Sequence, residues 1–154
     1  MMNRLQIETC NLLIDEYSSE IIKRMKGFTG DNRPDLCNQA NGGGKKQFND
    51  VMQAANSACC VEEFKLYISY KGVKQGTKEY WGEISDSLNT QVDKLRDLAK
   101  EVIKQAHDRQ VEFPEDDVHL EVVKRYMGYL MWQVNVLMGE GGKNTQQKSN
   151  YKKK

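Results

Sequence analysis

The sequence predicts an all-α protein: a single four- to five-helix, mostly antiparallel bundle with a disordered basic C-terminal tail. Three observations carry this. Apolar residues recur at spacings of three and four along four long segments, the period of one helix face. The chain holds only 2 prolines and few runs that alternate apolar with polar, which argues against a β-sandwich or barrel. Its 154 residues, 38% of them hydrophobic, suit one domain with a modest core rather than a disordered chain.

The first helix is expected from about Leu5 to Lys26. Ile7, Cys10, Ile14, Tyr17, Ile21, Met25 and Phe28 form one stripe, and Gly27 and Gly30 end it. Residues Gly27 to Lys46 then read as a loop, with turn chemistry at Asp31-Asn32-Arg33-Pro34-Asp35 and a flexible run at Asn41-Gly42-Gly43-Gly44. A second helical segment starts near Gln47. Phe48, Val51, Met52 and Ala55 share a face, and Val61, Phe64 and Ile68 continue it in a shifted phase. That shift means one helix bent near Cys60 or two short helices in sequence.

The third helix is expected over about Lys78 to Arg109, with the stripe Trp81, Ile84, Leu88, Val92, Leu95, Leu98/Ala99, Val102 and Ala106. Opposite it, Asp93, Lys94, Asp97, Lys100, Glu101 and Lys104 are expected to make an ordinary solvated face. The fourth helix follows Pro114, which favours a helix start, and Glu115, Asp116 and Asp117 complement the positive end of its macrodipole. Val122, Val123, Tyr126, Met127, Leu130, Met131, Val134 and Leu137 cover a broad arc, so this helix is expected at the centre of the bundle or against a partner. The bundle domain is placed at 1–138 and the disordered, Lys-rich tail at 139–154.

Charge is near balance in total, 23 Lys+Arg against 22 Asp+Glu, but uneven along the chain. Residues 1–22 have one base and four acids, and residues 23–78 have ten bases and five acids. Residues 79–138 have seven bases and twelve acids, and the tail has five lysines and one acid. Such blocks can fold into a positive face and a negative face.

Little in the sequence points to catalysis. The run Gly42-Gly43-Gly44-Lys45-Lys46 lacks the first glycine and the final Ser/Thr of a phosphate loop. Cys10, Cys37, Cys59 and Cys60 form no Cys-x-x-Cys pair, and His107 and His119 lack zinc spacing. Reduced thiols are expected, and no catalytic residue, metal site or cofactor. No stretch reads as a leader or a membrane span, so an intracellular, cytoplasmic protein is expected. The basic block interleaves Lys65, Tyr70, Lys71, Lys74 and Lys78 with aromatics, and Arg33, Lys45 and Lys46 precede it. Lys and Arg meet phosphates and exposed Tyr stacks on bases, so these eight residues are the candidate RNA-binding set.

Two stretches carry a family resemblance. They are Glu63-Phe64-Lys65-Leu66-Tyr67-Ile68-Ser69-Tyr70-Lys71 with Tyr80-Trp81, and Val122-Val123-Lys124-Arg125-Tyr126-Met127-Gly128-Tyr129-Leu130-Met131-Trp132-Gln133-Val134. Both resemble helices of the small subunit of type III CRISPR–Cas effector complexes, over roughly residues 45–138. The resemblance implies a non-catalytic, RNA-contacting subunit of a ribonucleoprotein that acts in antiviral defence. Its partners would be the guide RNA, the target RNA backbone, other subunits of the complex and several copies of itself. The alternative is a helical adaptor or homo-oligomerisation module with no nucleic-acid role.

Overall fold

The computed structural model describes the backbone of residues 2–37 and 45–152 and the side chains of residues 2–37 and 46–139. Among these the chain forms eight helices and no strand: α1 (Arg4–Asp15), α2 (Ser18–Leu36), α3 (Lys45–Ser57), α4 (Val61–Val73), α5 (Lys78–Trp81), α6 (Ser85–Lys94), α7 (Arg96–Asp108) and α8 (Glu115–Lys152). The all-α class is as expected. The larger number of helices arises because the long segments are broken, while their apolar stripes run on across the breaks. The expected disordered tail falls where side chains lie outside the described residues, and the backbone of α8 is helical through Lys152.

Asn3 starts α1 with a capping box. Its side chain accepts from the Gln6 backbone N–H and the Gln6 side chain accepts from the Asn3 N–H, both at 2.9 Å. The chain turns at Glu16 and Tyr17, yet Cys10, Ile14, Ile21, Met25 and Phe28 stay buried on one side.

The loop expected from Gly27 is corrected: α2 passes through Gly27, Gly30 and Pro34 to Leu36. Burial outweighs local preference here. Phe28 and Leu36 are buried, which offsets the cost of about 1 kcal/mol for each helical glycine. The carbonyl four residues before Pro34 belongs to Gly30, on the exposed side of the helix, where losing its amide partner costs least. The Tyr80 hydroxyl donates to the Leu36 carbonyl at 2.7 Å in the interior, satisfying one of the carbonyls a helix end leaves open.

The phase shift near Cys60 is a true break between α3 and α4. Glu63 Oε2 accepts from the Cys59 N–H at 2.8 Å and closes the start of α4. The expected helix 78–109 becomes α5, α6 and α7, and all nine residues of its stripe are buried. At the first break the chain passes close against α4. A Cβ on Gly82 would lie 2.6 Å from the Lys78 carbonyl, and one on Gly72 would lie 2.5 Å from Ser85 Oγ. α4 therefore packs directly on the α5–α6 turn.

α8 is the central helix, contacting α2, α3 and α7 most extensively and also α1 and α4. Val118, Val122, Val123, Tyr126, Met127, Leu130 and Val134 line its buried side. At its start, Arg96 pairs with Glu115 at 2.9 Å and Asp116 at 3.2 Å. One turn on, the buried His119 Nε2–H donates to the Val92 carbonyl at 2.7 Å. Burial is the largest cause of a His119 pKa below the usual histidine value. No described helix is long and apolar enough to cross a membrane.

Candidate interaction surfaces

Three tertiary contacts bring separate basic segments to one end of the bundle. The Tyr80–Leu36 hydrogen bond holds the end of α2, with Arg33, beside α5. The Trp81 indole N–H donates to Gln47 Oε1 at 3.1 Å, holding the start of α3 beside α5 as well. Lys71 Nζ lies 3.9 Å from Asp50 Oδ2, drawing the end of α4 onto α3. Phe48, Tyr80 and Trp81 form the aromatic core of this end, with ring centroids 5.0–6.0 Å apart. Tyr80 is held neutral, its hydroxyl pushed far above the usual tyrosine range by burial.

The candidate RNA-binding residues divide on this frame. Arg33, Lys46, Lys74 and Lys78 are exposed at the gathered end. Tyr70 is half-exposed, and the Lys74 ammonium sits over its ring at 5.6 Å. Lys45 opens α3, and its side chain lies outside the described residues, as do Gly42, Gly43 and Gly44. Two members face inward. Lys71 is 7% exposed, bound between Asp50 and the Tyr67 ring at 5.4 Å. Lys65 is mostly covered and pairs with Asp93 at 2.7 Å. Both are internal ties of the bundle, because acids distant in sequence arrive beside them on α3 and α6.

Large apolar side chains elsewhere point outward. On α4, Leu66 is 71% and Val73 75% exposed, in line with Tyr70. On α8, Trp132 is 68% and Val136 53% exposed, and Tyr129 packs on Trp132 with centroids 5.9 Å apart. The breadth of the α8 arc pointed to a partner from the sequence alone, whereas on α4 only Val61, Phe64 and Ile68 were read as the stripe and the outward face was not singled out. The signal was present: Leu66, Tyr70 and Val73 repeat at i, i+4 and i+7 on the other side of the same helix.

Among the described residues no group of three or more His, Cys, Asp or Glu side chains is arranged to hold a metal ion. All four cysteines are free. Cys10 is pushed up to about 12, chiefly by burial, so it is a neutral core thiol. Cys59 and Cys60 are exposed. Comparison with known protein families, with curated proteins and with solved structures gives no match.

Proposed function

We propose that this chain is a non-catalytic, RNA-contacting subunit of a multi-subunit, cytoplasmic ribonucleoprotein, of the kind represented by the small subunit of type III CRISPR–Cas effectors. The observation that carries the reading is the convergence of α2, α3, α4 and α5 at one basic end. Arg33, Lys46, Lys74 and Lys78 come from four elements and are exposed together, with the Tyr70 ring beside them. Cations spaced over several helix ends follow a phosphate backbone better than a single cluster does, and an aromatic at their border offers a face for a base. Lys71 ties α4 to α3 behind this surface, and Lys65 is taken up by Asp93 on α6.

The test is fluorescence anisotropy with single-stranded RNA across a salt series. A chain with Lys46→Glu, Lys74→Glu and Lys78→Glu should bind at least tenfold more weakly. Its salt slope should flatten by about 2, since each backbone contact on a single strand contributes about 0.7. Equal affinity and slope for the two chains would remove the RNA reading. The alternative, a helical adaptor without nucleic acid, draws support from the outward apolar faces of α4 and α8; it predicts no RNA binding by either chain.

A further inference from the structure

The two outward apolar faces differ in shape and in charge. Between α3 and α4 lies an open groove of about 600 Å³ lined by Ala54, Phe64, Leu66, Tyr67 and Tyr70, with Glu63 at its edge. Glu62 and Glu63 are exposed beside it at the start of α4. On α8 the relief is reversed. Tyr129 and Trp132 form a ridge between a hollow of about 330 Å³ toward Asn11 and Asn56 and one of about 160 Å³ toward Ile22 and Met25. The bases beside this ridge are Lys26, which lines the second hollow, and Lys23 one turn earlier on α2. Both are exposed, and neither has a carboxylate partner among the described residues. Lys124 and Arg125, also near the ridge, are held by Glu121 at 3.5 Å and Asp15 at 2.6 Å.

We infer that the α8 ridge of one copy docks into the α3–α4 groove of a second copy, with Lys23 and Lys26 facing Glu62 and Glu63. The shape, polarity and charge of the two surfaces favour a second copy as the occupant. The groove is concave, apolar and edged with acid; the ridge is convex, apolar and edged with base. A single strand of RNA would suit the Trp132 indole, but it would be repelled by Glu62 and Glu63 at the groove and leave that groove open. Trp and Tyr are also among the residue types most enriched where a few side chains dominate a protein–protein contact. Because the chain carries both halves, the contact is made by different patches on the two copies, and it closes a pair or continues along a row. The inference rests on the chain being an assembly subunit. It shares the Tyr70 ring with the proposed RNA surface but not Lys46 or Lys78. The substitutions below leave Lys46, Lys74, Lys78 and Tyr70 unchanged, so failure here and failure of RNA binding are read separately.

The experiment uses two single variants of the full chain, Leu66→Lys and Trp132→Glu, in nucleic-acid-free protein by analytical ultracentrifugation. Both sites are largely exposed, so circular dichroism melts should match the unsubstituted chain and show that each variant folds. The unsubstituted chain should self-associate with rising concentration. Each variant alone should lose that association about tenfold or more. Mixed together, the two should form a one-to-one heterodimer, since the ridge on Leu66→Lys and the groove on Trp132→Glu are both intact. A second pair, Lys26→Glu with Glu62→Lys, should likewise be weak apart and recover when mixed. An unsubstituted chain that stays monomeric at all concentrations overturns the proposal. So does a mixture of Leu66→Lys and Trp132→Glu that fails to pair, or a variant that associates as well as the unsubstituted chain.

Discussion

Helices α4 and α7 are both 13 residues long, and they treat their outer faces in opposite ways. α7 buries Leu98, Ala99, Val102 and Ala106 and gives solvent Asp97, Lys100, Glu101 and Lys104. It has one apolar face, and that face is spent on the core. α4 buries Val61, Phe64 and Ile68 but also presents Leu66, Tyr70 and Val73 outward. A helix that is apolar on two sides stabilises its own bundle with one and is free to meet something else with the other. α7 therefore gives its whole apolar surface to the bundle, while α4 keeps a second apolar face exposed.

The most disruptive way to test this contrast is to cut into the buried side of α4. Phe64→Ala should cost about 3–5 kcal/mol, measured by urea unfolding, as a core position of α7 would. Turning the inward cation around comes next. Lys71→Glu places a carboxylate against Asp50 in a covered site and should lose about 2 kcal/mol, whereas Lys74→Glu, outward on the same helix, should change the unfolding midpoint little. Gly72→Ala should cost about 1–3 kcal/mol, because the added Cβ meets Ser85 Oγ at 2.5 Å and α4 must move off the α5–α6 turn.

Acid provides a gentler perturbation on the α6–α8 side. Burial lowers the folded-state pKa of His119, so the unfolded chain takes up its proton first. The stability His119 contributes is present above its ordinary pKa of about 6.5 and is lost progressively as pH falls below that. Urea midpoints across a pH series should decline below about 6.5, and the decline should shrink in His119→Gln. Least of all, Lys104→Ala on the solvated face of α7 should shift stability by no more than about 0.5 kcal/mol and leave self-association unchanged.

The stripes were legible in the sequence because a buried helix face has a fixed period. Every stripe residue expected over 78–109 is buried. The break near Cys60 was legible as a change of phase, but those at Glu16–Tyr17 and Leu95 were not, since the stripe keeps phase through both turns and no Gly or Pro marks either. At Gly27, Gly30 and Pro34 the local signals pointed the wrong way, because what holds α2 together there is the burial of Phe28 and Leu36 and a tyrosine 44 residues away. The candidate site was half legible for the same reason. Which residues are basic is written in the chain, but Lys65 and Lys71 are claimed by Asp93 and Asp50, and that pairing exists only once α3, α4 and α6 are packed. The grouping of Arg33, Lys46 and Lys78 likewise depends on hydrogen bonds from Tyr80 and Trp81.

The central claim is that this chain works as an RNA-contacting subunit inside an assembly, and co-purification from its own cells under native conditions tests it most directly. The full chain should emerge in a complex much larger than 17.8 kDa, carrying a defined small RNA in fixed proportion. The chain with Lys46→Glu, Lys74→Glu and Lys78→Glu should retain less of that RNA. A chain that elutes alone, with no RNA above background, would contradict the account.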